Sequence, residues 1–139
     1  MIEGISHITL VVSDLQRSAA MLEAVFAAVE VYDSGDEQFS LSREKFFLIC
    51  GVWLVLMEGE PLPTRTYNHI AFKISEAEFE NYAQRISEYD LEMKAPRTRV
   101  AGEGRSIYFY DYDNHLFELH TGTLAERLER YGVKTSQSV

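Results

Sequence analysis

The chain has 139 residues, 46% of them hydrophobic, and a formal net charge of −9; this describes one globular domain with a real core and excludes a disordered chain. The acidic balance argues against nucleic acid as a partner, because that polymer is held by a cationic surface that displaces counterions. The N-terminus carries an acid and no basic run, no apolar stretch approaches the ~18 residues of a membrane span, and the single cysteine, Cys50, permits no intrachain disulfide. A cytoplasmic protein without a membrane partner is expected.

Residues 5–12 (ISHITLVV) read as a strand, with His7, Thr9 and Val11 on one face and Ile8, Leu10 and Val12 on the other. A helix follows, opened by a capping box of Ser13 and Gln16, and Leu15, Leu22, Val25 and Phe26 form the stripe that packs on a sheet. Three strands are predicted next, at 29–32, 38–42 and 46–57. The last two are joined by the charged turn Arg43-Glu44-Lys45, and Gly51 marks a bulge or bend. Cys50 lies in the apolar run 46–55, where a small buried hydrophobe is expected.

The second half repeats this plan. Asn68-His69-Ile70-Ala71-Phe72 echoes Ser6-His7-Ile8-Thr9-Leu10 at an offset of 62 residues, and Ser75 with Glu78 opens a second helix at the same offset from Ser13. Phe79, Tyr82, Ala83 and Ile86 are its apolar stripe, and strands at 91–94, 105–110 and 115–120 follow. The last two form a hairpin about Asp113-Asn114, with Ser106, Tyr108 and Tyr110 on one face of its first strand and Leu116, Glu118 and His120 on one face of its second. Residues 123–131 form a short helix with a third capping box, Thr123 and Glu126; Leu124, Leu128 and Tyr131 are its apolar side.

Each half thus reads β-α-β-β-β, in an α+β fold of paired modules: 1–62, 63–122, and a C-terminal helix and tail at 123–139. Two modules of this size are expected to pair into a curved mixed sheet around a metal-containing cavity.

Symmetry-equivalent His7 and His69, with Glu118 on the last strand, supply two imidazoles and a carboxylate for a divalent first-row metal and leave coordination positions open. His120 shares the face of Glu118 and is the alternative third ligand, whereas His115 adjoins the turn and is expected to be solvated. Lys94, Arg97, Arg99 and Arg105 concentrate positive charge in a segment with one acid, Glu103; this suits an anion, or it is a solvated loop. Glu44, taken from the residues alone, is an exposed turn carboxylate.

The paired pattern resembles the vicinal oxygen chelate (glyoxalase/bleomycin-resistance/dioxygenase) superfamily. More narrowly, GISHITLVVSDL, FSLSREKFFLI, YNHIAFKI and GEGRSIYFYDYDNHLFELHTGTLAERLERY resemble the fosfomycin-resistance proteins of the epoxide hydrolase type, over residues 1 to 131. The resemblance implies Mn(II) held by His7, His69 and Glu118, and fosfomycin, a small phosphonate epoxide, as substrate. By the same match Ser106, Tyr108 and Arg127 line the phosphonate site, joined by Arg97 or Arg99; Thr9 and Tyr67 share faces with the histidines and contact the ligand. Glu44 becomes the general base that activates water, in which role it is partly desolvated beside Phe46 and Phe47. A homodimer with exchanged modules is also implied. The rivals are a metal-dependent thiol transferase, a dioxygenase or isomerase on the same scaffold, and a drug-binding protein without catalysis.

Overall fold

The computed structural model describes residues 1–95 and 102–132. The order is β1 (His7–Val12), α1 (Leu15–Phe26), β2 (Val29–Asp33), β3 (Glu44–Ile49), β4 (Val52–Glu58), β5 (His69–Lys73), a 3-10 turn (Glu76–Glu78), α2 (Phe79–Glu88), β6 (Glu92–Met93), β7 (Ser106–Tyr110), β8 (Leu116–His120) and α3 (Leu124–Arg130). The α+β class and the repeated β-α-β-β-β order are as expected. Each module builds its own four-stranded sheet, ordered β1-β4-β3-β2 and β5-β8-β7-β6, so the one curved sheet is made as two. In both, the outer first strand pairs parallel with the last strand and the remaining pairs are antiparallel.

Two compact units result: Met1–Arg65 with Asp111–His115, and Thr66–Tyr110 with Leu116–Val139. In the first, α1 packs on β3 and β4. Alternation along the strands turns Leu10, Val12, Phe47, Ile49, Leu54 and Leu56 inward, where with Leu15, Met21, Leu22, Val25 and Phe26 they form the core. Each such side chain contributes about 1.5–3 kcal/mol by leaving water. In the second unit, Ile107, Phe109, Phe117 and Leu119 are buried together with Ile86 of α2, and Phe109 stacks on Phe117 at 5.6 Å. Arg105 ties α2 to the sheet: its guanidinium meets Glu76 at 3.0 Å and Glu80 at 2.8 Å and lies 3.7 Å over the Phe79 ring.

Several local expectations are corrected. Residues 38–42 form no strand, with bends at 39–42, and Phe39 and Leu41 are 77% and 86% exposed. The long run 46–57 is a hairpin, because Cys50 and Gly51 both take positive φ, 46° and 79°, as a two-residue turn between β3 and β4 requires. Cys50 is therefore exposed. The strand lost at 38–42 and the strand gained at the hairpin leave the module's count unchanged.

Asp14, not Ser13, caps α1, accepting from Arg17 N at 3.0 Å. Ser13 is engaged elsewhere: its N and Oγ donate to Oδ1 of the fully buried Asp113 at 2.9 and 2.6 Å. Ser75 makes no side-chain cap, because a 3-10 turn precedes α2. Thr123 caps α3 as expected, its Oγ1 accepting from Glu126 N at 3.2 Å, and the Glu126 carboxylate meets the cap's hydroxyl, Oγ1 donating to Oε1 at 2.9 Å. Leu124 and Tyr131 on the apolar side of α3 are exposed. His115, expected in solvent, is held at Nδ1 by Asp111 Oδ2 at 2.7 Å, with only 10% of its side chain exposed.

The hairpin supplies a stability prediction. Asn suits positive φ better than Cys, and Asn-Gly is the favoured pair for this turn. Cys50→Asn is expected to raise stability by roughly 0.5–1 kcal/mol, read as a higher denaturation midpoint at unchanged m-value. A lower midpoint would contradict the turn assignment.

Candidate functional site

The second sheet carries most of the polar site on one face. Strand register sets His69, Leu116 and Tyr110 in one row, Ala71, Glu118 and Tyr108 in the next, and Lys73, His120 and Ser106 in the third. These positions lie on the opposite face from Phe109, Phe117 and Leu119, so the sheet packs its apolar core on one side and gathers most of its polar groups on the other.

His69 Nδ1 lies 2.7 Å from the carbonyl oxygen of Tyr67. A carbonyl only accepts, which assigns the proton to Nδ1 and the lone pair to Nε2. Nε2 is 2.9 Å from Glu118 Oε2. A lone pair and a carboxylate oxygen repel at that distance unless a cation joins them, either a second ring proton or a metal. The backbone carbonyl behind His69 is the outer support that metal-binding histidines use.

Glu118 is buried, and its Oε1 accepts from Ser106 Oγ at 2.6 Å. Ser106 Oγ is also 2.7 Å from His120 Nδ1. Since the hydroxyl proton goes to Glu118, His120 Nδ1 donates, and its Nε2 is left to accept from Arg127 Nη2 at 3.4 Å. Both His120 nitrogens are thus engaged, Nδ1 supporting Glu118 through Ser106 and Nε2 meeting Arg127. Burial pushes the Glu118 carboxyl up, but hydrogen bonds from Ser106 and Tyr108, with the His120 and His69 rings alongside, outweigh it and hold the group below its ordinary value. The carboxylate is ionised at neutral pH, as a metal ligand must be.

Beside this pair, Tyr67 Oη and Tyr108 Oη are 3.1 Å apart, and Lys94 Nζ stands 5.1 Å over the Tyr67 ring and 5.9 Å over that of Tyr108. Lys94 belongs to the cationic segment, and its backbone fixes where it stands: Lys94 N donates to Tyr108 O at 2.8 Å, which keeps it beside the polar face. Arg97 and Arg99 lie outside the described residues.

In the first unit, His7 is exposed on β1 and tilts against Trp53 with ring centroids 4.5 Å apart. Its pairing with Trp53 corresponds to that of His69 with Leu116, so the two histidines hold equivalent positions in the repeat. Thr9 and Val11 continue the same face. Val11 pairs with Met57 and Met57 with Glu44, which brings Glu44 onto the face of His7. The matching row of the second sheet ends in Ser106, so Glu44 is the repeat partner of Ser106. Glu44 is only 8% exposed, being the first residue of β3 and not part of a turn. Among the described residues no three His, Cys, Asp or Glu side chains come together as a metal group. His69 and Glu118 meet, while His7 belongs to the other unit.

The model of the Glyoxalase/Bleomycin resistance protein/Dioxygenase superfamily matches residues 4–119, and the chain belongs to that superfamily. It is 64% identical over 130 residues to the fosfomycin resistance protein FosX of Mesorhizobium japonicum, spanning 94% of each chain. To FosX of Listeria innocua serovar 6a it is 62% identical over 131 residues, 94% of this chain and 98% of that one. A crystal structure of a Glu-to-Gln variant of FosX from Listeria monocytogenes, complexed with Mn(II) and 1S,2S-dihydroxypropylphosphonic acid, is similar with a TM-score of 0.87 at 58% identity, covering 94% of this chain and 99% of that chain. Within the superfamily the chain is a member of the FosX family.

Proposed function

We propose that this chain is a Mn(II)-dependent hydrolase that opens the epoxide of fosfomycin with water to give a diol, and so confers fosfomycin resistance. The observation that carries hydration is the buried carboxylate of Glu44 on the sheet face of His7. The Listeria monocytogenes relative complexed with Mn(II) and a dihydroxypropylphosphonic acid supports both the metal and the product class.

His7, His69 and Glu118 would hold the metal, a hard ion suited to imidazole and carboxylate donors. When bound it supplies a Lewis acid for the epoxide oxygen. The protein's own part is positional and protic. Glu44 accepts a proton from the attacking water at a carboxylate oxygen. Tyr67, Tyr108, Ser106 and Thr9 offer hydroxyls, and Lys94, Arg127 and one of Arg97 and Arg99 offer charge, to the phosphonate oxygens. His69 and Glu118 lie on one unit and His7 and Glu44 on the other; a homodimer with exchanged modules completes each site by setting the face of one copy against the face of another. The exposed thiol of Cys50 is in keeping with a reducing, cytoplasmic setting. Among the described residues no helix is long and apolar enough to cross a membrane.

The test is phosphorus NMR of fosfomycin with purified protein, stripped of metal and resupplied with Mn(II), with and without glutathione or cysteine. Metal-dependent diol without thiol is expected. An adduct that forms only with thiol would make the chain a transferase, and binding without turnover in either tube would make it a sequestering protein.

A further inference from the structure

The proposed base sits at the first residue of its strand, directly after bends at 39–42, where a strand would ordinarily fray. One residue prevents this. Ser34, the buried residue that follows β2, donates from its N to Glu44 O at 3.0 Å and accepts at its Oγ from Glu44 N at 3.0 Å. Both backbone polar groups of Glu44 are therefore held by one residue, with a hydroxyl standing where the next ladder carbonyl would be. The opposite edge is fixed as well: Glu58 N donates to Arg43 O at 2.8 Å, and Ser42 Oγ donates to Glu58 O at 2.6 Å. Lys45, buried on the other face, is held by Glu30 at 2.7 Å and Asp33 at 2.9 Å, which sets the alternation that sends Glu44 to the face of His7.

We infer that Ser34 is a positioning residue for the hydration reaction, its Oγ and N clamping the Glu44 backbone so that the carboxylate stays on the metal-bearing face. The inference rests on the reading of Glu44 as the base. Without the Oγ, the buried Glu44 N–H has no acceptor and recovers one only by leaving the ladder for water. The carboxylate then moves with its backbone, and displacements near 1 Å in such a group cost about 100-fold in rate.

Ser34→Ala, Ser34→Thr and Ser34→Cys are compared with Glu44→Gln in the Mn(II)-loaded protein, reading kcat and KM for thiol-free hydration, Mn(II) affinity by electron paramagnetic resonance, and thermal midpoint. Ser34→Ala is expected to lower kcat about 10- to 100-fold, with KM and Mn(II) affinity within about twofold. Ser34→Thr, which keeps the hydroxyl, restores most of the rate; Ser34→Cys, a weak acceptor, falls between them and ranks the series even where the alanine variant folds poorly. Unchanged kcat in Ser34→Ala, or a parallel loss of kcat, KM, metal affinity and thermal midpoint in all three variants, overturns the inference and leaves the base in place. Unchanged turnover in Glu44→Gln removes the base itself, a failure distinguishable from that of Ser34.

Discussion

Glu44→Gln is expected to lower thiol-free diol formation by about 10²- to 10⁴-fold, the usual worth of a positioned general base, while Mn(II) and fosfomycin still bind. The amide keeps the size and shape of the side chain, and the Ser34 clamp acts on the backbone, so strand β3 has no reason to shift. What is lost is an oxygen able to take a proton from water. The split between binding and turnover is the diagnostic result: fosfomycin affinity by calorimetry and Mn(II) stoichiometry remain near those of the parent, and the diol signal disappears from the phosphorus spectrum. If turnover persisted at the parent rate, Glu44 would be reduced to a buried structural carboxylate. A thiol adduct surviving in the variant is compatible with the assignment, because a thiolate attacks without needing that base.

The repeat was legible because the 62-residue offset is carried by whole strands and helices, and a sheet face follows directly from counting by two. The equivalent places of His7 and His69, each in its own sheet, and the shared face of Ser106, Tyr108, Glu118 and His120 follow from that counting and match the strand registers. Glu44 did not, since three consecutive charged residues after polar ones look like a turn. Its burial depends on Lys45 finding Glu30 and Asp33 across the sheet, pairs separated by 15 and 12 residues. The Cys50-Gly51 turn was hidden for a different reason: Cys lacks the side-chain chemistry that announces positive φ. The local capping rule points to Ser13, yet Asp113, 100 residues away, takes its hydroxyl. The clamp by Ser34 has no sequence signature at all, because its partners are backbone atoms common to every residue. Local pattern thus reported elements and faces, and the long-range hydrogen bonds decided which polar residues are held where they act.

Loss of the metal should follow loss of Glu118. Glu118→Gln is isosteric and leaves an amide oxygen to accept from Ser106, so the hairpin of β7 and β8 is expected to persist. It removes the anionic oxygen that faces His69 Nε2 at 2.9 Å, and with it the charge that compensates a divalent ion. Outer partners of metal ligands are worth about 10- to 100-fold in affinity, and a ligand is worth more. Glu118→Gln should therefore weaken Mn(II) by more than about 100-fold and abolish turnover with it. Ser106→Ala, which removes only the hydroxyl bridging Glu118 and His120, should weaken Mn(II) less and raise KM for fosfomycin. Titration of free Mn(II) by electron paramagnetic resonance measures both. Full Mn(II) stoichiometry at unchanged affinity in Glu118→Gln would strike Glu118 from the ligand set, leaving the His69 pair as a proton-bridged ion pair. The order Glu118→Gln below Ser106→Ala is the stronger check, because general destabilisation of the sheet would weaken both variants alike, whereas a ligand and its support differ in degree.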